Sequence, residues 1–504
     1  MHFRKGGTLD LRRIIACVLA AAVILLMINV VSISPAHVSA DSIFVDDEAV
    51  ASSIDEQALY DELFAPDSVI DINVDISKEQ ISNMQADFEF FRQKHSRSSV
   101  YRICNNVTIT VNGKKYVIDD VGIRLKGTSS RCNFFDDVFG IYNLVNFRIS
   151  FTCTFEDTED YGLETHTWTD KEEKRKRKNR TFATMKSIEL KWNIAADNTY
   201  VRNKYVQETF KAYGVPAQSC SLCTLSLGGC KMGIYRLFEP VDEEFIHRYF
   251  PQEDWGGDLY KARCTKDGPV TYSKDNTYGV GNKKKTEMYN FDLKTNIGKS
   301  EHKSLENLLN VVNKPGATKQ DFESVIDMEE LALVQAINFA MGNQDDMRNN
   351  YNNHYIYFRK SDGKAVIIPY DNEIVLGDTY LWSPSESALT EESPYVSYNY
   401  RYDAEQKVPM LRQTVLKGGY FTDIYTECLR DVAQSKWLTE SNYRKYYDIA
   451  RKNYSDKLIS KYNYLSTINM NIEFSMEGGE EFNGNMSIAE FMGKMKANIL
   501  KNTE

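Results

Sequence analysis

The sequence predicts an α+β fold in two lobes, strand-rich in its first half and helix-rich in its second. Two observations carry the division. Between residues 69 and 238 apolar residues alternate with polar ones, as in VIDINVDI, NVTITV and MKSIELKWN. From residue 303 onward they recur at spacings of three and four, as in MEELALVQAINFAMGN. A third observation bears on size. The 504 residues exceed one ordinary domain, yet no internal repeat and no long Pro- or Ser-rich linker divides them. The expected organisation is an acidic leader over 41–66 and one large two-lobed domain over 67–504, with lobes of about 67–240 and 241–504.

Residues 1–40 stand apart from that fold. Arg4, Lys5, Arg12 and Arg13 precede an apolar run from Ile14 to Val31, and Val38-Ser39-Ala40 has the form of a signal peptidase site. The run is long for an export signal and just long enough to span a bilayer. A cleaved signal and an uncleaved membrane anchor through residues 14–31 are therefore both open, and export is preferred. In either case the basic residues hold the amino terminus on the cytoplasmic side. With no second run of that length, the rest is expected to be soluble and across the membrane.

Cutting after Ala40 removes four basic residues and Asp10, which takes the formal charge from −10 to −13. An acidic chain of this kind is no general nucleic-acid binder, whose footprint would be basic. The one basic run, KEEKRKRKNR (171–180), reads either as a solvated loop or as a docking site for an acidic partner or membrane phosphate. Eight cysteines follow residue 40: Cys104, Cys132, Cys153, Cys220, Cys223, Cys230, Cys264 and Cys428. An even number in an exported chain permits one or two disulfides, most plausibly involving the 220–230 cluster. Free buried thiols and a metal site are the alternatives, but no second Cys-x-x-Cys completes a zinc set.

Taken in order, VIDINVDI (69–76) is a strand and ISKEQISNMQADFEFF (76–91) a helix opening at Ser77. NVTITV and KYVIDDVGIRLKG (115–127), joined by Asn112-Gly113, form a hairpin with a I′-type turn. The strand runs into Gly122-Ile-Arg-Leu-Lys-Gly-Thr-Ser-Ser130. This is either a strand entering a polar turn or a phosphate cradle, with Gly127 permitting close backbone approach beside Arg124, Lys126 and the hydroxyls. Residues 131–185 look irregular and charged, like an insertion. In MKSIELKWN (185–193) alternation puts Ser187, Glu189 and Lys191 on one face, and a helix from about 199 to 213 follows with Asp197 as N-cap. SCSLCTLSLGGCKMGIYRLFE alternates as a second hairpin, ending at Glu239 before a short helix. Residues 416–470 and 487–502 read as helices, and the long aromatic, Ser-rich stretch 378–404 precedes them.

The chemistry gathers in MGNQDDMRNNYNNHYIYFRKSDGKAVIIPYDNEIVLG (341–377). The strands HYIYF (354–358) and AVIIPY (365–370) flank Asp362-Gly363, a tight-turn signal. A hairpin there brings Asp345, before the first strand, and Asp371, after the second, to one cleft. Two carboxylates with amide oxygens suit a hard cation such as Mg²⁺. The plainer reading is an Asn/Asp-rich loop that caps a helix and opens a strand.

Three segments in this stretch, NQD (343–345), NNHYIYF (352–358) and IPYDNEIVLG (368–377), resemble the catalytic segment of the CotH family, the kinase-like spore-coat protein H proteins. That family shows Asn-Trp-Asp, an Asn before an aromatic strand, and Pro-Trp-Asp-x-Asp ending in Gly. Gln344 and Tyr370 stand here for the tryptophans and Glu373 for the second Asp, and Ala365 lies where relatives often carry an aromatic able to stack on adenine. Gly-x-Arg-x-Lys-Gly-x-Ser-Ser at 122–130, GIYRLFEP and Asp258-Leu-Tyr-Lys261 are similar to further marks of the family.

The resemblance implies a protein-kinase-like fold and phosphoryl transfer from ATP to Ser or Thr hydroxyls of a surface or spore-coat protein, with Mg²⁺ or Mn²⁺. Asp345 would orient or deprotonate the acceptor and Asp371 would hold the metal, with Asn353, or else Asn350, as second ligand. Arg124, Lys126, Lys191 and Glu239 would meet the nucleotide. Lys191 and Glu208 stand where a kinase pairs its strand lysine with a helix carboxylate. A non-catalytic surface or coat protein keeping the fold as a binding module is the alternative, and a metal-dependent hydrolase a third.

Overall fold

The barrel that dominates the first half follows from strands that are apolar on one side only. In the computed structural model the described residues are 43–45, 54–93, 100–127, 134–136, 141–195, 197–263, 270–273, 289–379, 386–396, 407–459, 472–477 and 486–504. Residues 1–40, with their export or anchor reading and signal peptidase site, lie outside them, as do Thr128, Ser129, Ser130, Cys132, Cys264 and parts of 41–66 and 378–404. Among the described residues no helix is long and apolar enough to cross a membrane.

The strands are β1 (Ile43–Val45), β2 (Ile70–Asp75), β3 (Arg102–Val111), β4 (Lys114–Lys126), a short ribbon of β5 (Phe135–Asp136) and β6 (Ile141–Tyr142), β7 (Asn146–Ser150), β8 (Ser187–Trp192), β9 (Cys220–Leu227) and β10 (Cys230–Phe238). Neighbours run β4-β3-β2-β9-β10-β8-β7, and β7 pairs back onto β4, so seven strands close into a barrel with β1 attached along the remaining edge of β4. Closure leaves these seven no free edge over that span, which removes the usual site of edge-to-edge aggregation. Pairing is antiparallel except between β2 and β9. Ile72, Val74, Val107, Ile109, Ile118, Phe147, Ile149, Ile188, Leu190, Leu225 and Leu237 fill the interior.

Local chemistry sets the connections. Asn112 and Gly113 both take left-handed backbone angles, the I′ geometry expected at the β3–β4 turn. Gly122 tolerates no side chain, because a Cβ there would sit 2.5 Å from the Cys153 sulfur. Ser77 opens the helix α1 (Lys78–Gln93), where its hydroxyl accepts from the Gln80 N–H. Residues 131–185 are not a bare insertion: β7, the strand that closes the barrel, lies inside them, with a helix α2 over Lys171–Asn179. Five residues in a charged context gave too short an alternation to recognise.

The second half is helical around a four-stranded sheet. Its strands are β11 (Leu259–Ala262), β12 (Phe291–Leu293), β13 (His354–Phe358) and β14 (Ala365–Pro369), in the order β12-β11-β13-β14. One face of the β13–β14 hairpin, with Ile356, Phe358, Ala365 and Ile367, packs into the large helical core. The other face, with Tyr355, Tyr357, Val366, Ile368 and Tyr370, packs against the helix α3 (Glu243–Tyr249). The helix α4 (Met328–Ala340) is buried around most of its circumference and leads into the loop that carries Asp345. From the later helix Glu440–Tyr454, the Tyr454 hydroxyl takes the Ile70 N–H at 2.9 Å and donates to the Leu222 carbonyl at 2.7 Å, tying β2 and β9 to this half. The observed class is α+β, as the sequence predicts.

Candidate functional site

A tight hairpin turn brings two segments distant in sequence together. β13 and β14 pair in register from His354–Pro369 to Phe358–Ala365, and Gly363 supplies the left-handed angle in the turn. At the open end the Tyr370 N–H donates to the Asn353 carbonyl at 3.0 Å. Asn353 and Asp371 flank that contact, and both are left-handed (φ 53° and 61°), a conformation that Asn and Asp tolerate better than most residues. The geometry turns both side chains away from the sheet ladder.

Asp345 sits beside this mouth. Its Oδ1 accepts from the Asn350 amide at 2.7 Å and its Oδ2 from the Asn353 amide at 2.8 Å. Burial is the main influence on its carboxyl, and with the Asp371 charge it raises the pKa to about 7, against the two amide donors. A carboxylate so poised can accept a proton near neutral pH. Asp346 next to it does a different job: its Oδ1 accepts the Arg348 and Asn349 N–H groups and so folds the loop.

The barrel presents its outer face to the same place. On neighbouring strands Arg124 pairs with Arg148, Arg148 with Glu189, Glu189 with Phe238, and Lys191 with Arg236, and directly paired residues share a face. Ser187, Glu189 and Lys191 point outward as alternation predicts, while Ile188 and Leu190 point in. Lys126 is bonded to Glu189 and also donates to the Tyr370 hydroxyl at 2.7 Å. Burial pushes the Lys126 ammonium down to about 8, against the Glu189 charge. Burial works against the Glu189 carboxylate too, but Lys126, Arg148 and Lys261 outweigh it and hold that carboxyl at about 2.

Lys191 reaches across from β8 to the hairpin mouth. Its Nζ lies 2.6 Å from Asp371 Oδ1 and 3.8 Å from Glu373 Oε1, and Arg236 stands 3.4 Å from the same Glu373 oxygen. Burial opposes the Asp371 charge, yet Lys191, with Lys261 and Lys126, keeps its carboxyl below the ordinary range. The Tyr370 ring lies among three ammonium groups, with Lys261 at 3.7 Å, Lys191 at 4.7 Å and Lys126 at 5.3 Å from its centroid. Cations thus crowd a cleft whose carboxylates are mostly engaged, an arrangement suited to a polyanion.

A family model described as CotH kinase protein matches residues 156–476. The chain belongs to the CotH kinase family. No curated protein matches it. The CotH match takes in the Asp345 loop, the hairpin and β8 through β14, whereas β4, with Arg124 and Lys126, precedes it.

Within this CotH site the structure brings together Asp345, Asn350, Asn353, Asp371, Lys191 and Lys126. Glu239 is elsewhere: it is fully buried, holds the Tyr60 hydroxyl, and accepts from Arg248 at 2.9 Å and the Ser219 N–H at 3.3 Å. Being next to Phe238 on an alternating strand, it faces away from Lys191. Arg124 lies one strand pair out, its guanidinium 5.0 Å from the Tyr101 ring centroid. Arg148 is a charged residue at this place that sequence reasoning missed, and Arg236 and Lys261, which lie in family-like stretches, were given no role there. For Arg236 and Arg148 the missing signal was strand register, which no single stretch encodes.

Four expectations need correction. Lys191 pairs with Asp371 and Glu373, not with Glu208, which binds Lys211 at 3.2 Å. Ala365 lies at the turn end of β14, five residues or roughly 17 Å of strand from Tyr370, so the aromatic at the cleft is Tyr370 itself. Asp197 is not the residue flanking its helix, which runs Arg202–Ala212; its carboxylate accepts the Arg202 N–H at 3.0 Å from five residues back. The six described cysteines are free thiols, without the 220–230 bridge; Cys220 and Cys223, three apart on one strand, point to opposite faces of β9. The basic run is also largely self-satisfied: Arg175 binds Glu172, Lys176 binds Glu173, Lys174 binds Glu156, and Arg177 is buried against Asp120.

A divalent cation fits what is present. Among the described residues no cluster of three or more His, Cys, Asp and Glu side chains could hold a metal. The available donors are carboxylate and amide oxygens. Asp371 Oδ2 and the side-chain carbonyls of Asn350 and Asn353 accept no hydrogen bond among the described residues, and an all-oxygen set is what Mg²⁺ takes.

Proposed function

We propose that this CotH protein transfers the terminal phosphoryl group of ATP to a Ser or Thr hydroxyl of an exported surface or spore-coat protein. The observation that supports this best is Asp345: a carboxyl held near neutrality by burial and fixed by two amides, beside a second carboxylate and opposite a cation-lined barrel face. In this reading Asp345 accepts the acceptor's hydroxyl proton as the new P–O bond forms and the bond to the leaving diphosphate breaks. Asn350 and Asn353 keep its oxygens aimed. Lys126 and Lys191 meet the phosphates, where their charge offsets what builds up on the transferring group.

Asp371, with the amide oxygens of Asn353 and Asn350, would hold Mg²⁺ or Mn²⁺, which supplies charge neutralisation on the phosphates. Lys191 holds Oδ1 of Asp371, which leaves Oδ2 for a cation. That closed Lys191–Asp371 pair also favours the second reading, a fold retained as a binding module. Radiolabel transfer from ATP, with Mg²⁺ or Mn²⁺, separates the two. Transfer by the wild-type chain is expected, together with loss of both transfer and metal-dependent ATP binding in Asp371→Ala. ATP binding without any transfer would favour the binding module. Export through residues 1–40 belongs to the same proposal.

A further inference from the structure

Lys261 stands out among the cations of the cleft. Arg263, just past the end of β11, binds Asp292 at 3.0 Å; Lys126 is bonded to Glu189; Lys191 is bonded to Asp371. Lys261 has no carboxylate and no hydrogen-bond acceptor for its ammonium among the described residues. Its contacts are the faces of Tyr370, at 3.7 Å, and Tyr355, at 5.4 Å. Register explains its aim: Lys261 pairs with Tyr355 on β13, so the two share a face, and Tyr370 follows β14 on that side. Among the described residues the charged groups that act on it most are Lys126 on β4, Glu189 on β8, Arg263 just past β11 and Asp371 at the hairpin mouth, and Lys191 on β8 lies over the same Tyr370 ring.

A half-buried ammonium without a counter-ion is costly unless an anion arrives. The ring faces compensate only in part, since a cation–π contact is worth about 0.5–2 kcal/mol. Burial, with Lys126 and Arg263 adding to it, holds this ammonium well below its ordinary range against Glu189 and Asp371. We infer that Lys261 binds the phosphate chain of the donor: among the described residues its ammonium has no acceptor of its own, whereas Lys126 and Lys191 are each bonded to a carboxylate. This rests on the phosphoryl-transfer reading. It adds a donor ligand from β11, on the helical half, to Lys126 and Lys191 on the barrel, so that the donor is gripped from both sides.

The test is calorimetric titration of the full chain with MgATP, alongside melting temperatures, for wild type, Lys261→Met and Lys261→Arg. Lys261→Met is expected to bind MgATP roughly 10- to 100-fold more weakly, the range for losing one charge-assisted hydrogen bond. Its melting temperature is expected to hold or rise, because an uncompensated charge has gone, and Lys261→Arg should recover part of the affinity. Equal MgATP affinity in wild type and Lys261→Met overturns the inference and leaves the phosphoryl-transfer reading standing. A clear drop in melting temperature with no recovery in Lys261→Arg also overturns it, in favour of a packing role. No MgATP binding by wild type overturns the transfer reading itself, and the inference with it.

Discussion

The pH dependence of transfer is the most direct consequence of how Asp345 is held. Burial, with the charges of Asp371 and Asp346, raises its carboxyl to about 7, and the Asn350 and Asn353 amides oppose that only in part. A base must be ionised to accept a proton. At pH 6 roughly a tenth of such a group is ionised and at pH 8 roughly nine-tenths, from a pKa near 7. On the alkaline side the Lys126 ammonium, lowered to about 8, begins to lose its proton. Because kcat/KM reports the free enzyme, it should rise roughly sixfold from pH 6 to a maximum between about 7 and 8, then fall. Asp345→Asn should cut the rate by about 10²–10⁴-fold, as for a lost general base, and abolish the acid limb while leaving MgATP binding in place. Initial rates in constant-ionic-strength buffers from pH 5.5 to 9 decide it. A wild-type profile flat through pH 7, or an acid limb that survives in Asp345→Asn, would refute the assignment of the base.

The remaining predictions concern the ion pairs and the thiols. Lys191→Met leaves Asp371 and Glu373 without the ammonium 2.6 and 3.8 Å away, so the metal-free protein should melt lower than wild type. Mg²⁺ should then raise its melting temperature by more than it raises that of wild type, since in wild type Lys191 already offsets part of the Asp371 charge; equal shifts would sink that argument. Alkylation in denaturant without reductant should label Cys104, Cys153, Cys220, Cys223, Cys230 and Cys428. In the native protein Cys104 and Cys223 should resist it, because burial pushes both thiols up and keeps the reactive thiolate scarce. A disulfide joining any two of the six would contradict the structure.

Much of this site was legible because it depends on short-range pattern. Alternation placed Ser187, Glu189 and Lys191 together, Asp362-Gly363 marked the hairpin, and the hairpin brought Asp345 near Asp371. Pairings across the barrel were not legible. Nothing local says that Arg148 lies beside Glu189, or that Arg236 reaches Glu373, because those neighbours are 41 and 137 residues apart in sequence and meet only through strand register. The Lys191–Glu208 expectation failed for the same reason. It matched a lysine strand to a carboxylate helix by order along the chain, but the nearer carboxylates arrive from the distant hairpin. The basic run is solvated, as its composition suggests, but it is a helix and not a loop, and helical spacing of three lets Glu172 and Glu173 neutralise Arg175 and Lys176.

The two sides of the cleft are built with unequal stiffness, and that bears on how it would work. Lys126 and Lys191 rise from strands of a closed barrel, Lys126 paired with Asn146 of β7 and Lys191 with Arg236 of β10, with Phe147, Ile149, Ile188 and Leu190 locked into the interior on the opposite face. A one-residue slip of β8 would put Glu189 and Lys191 inside the barrel and Ile188 and Leu190 in the cleft, so register there is strongly determined. Asp345 and Asp371 stand outside any ladder, one on a loop held by asparagine amides and the other on a left-handed residue. The cations are therefore the fixed reference and the carboxylates the adjustable side. Any adjustment of Asp371 toward a metal would then fall at the hairpin mouth, not in the barrel. A site that keeps its positive field in place and lets its carboxylates shift spends little reorganisation on the phosphates it has to bind.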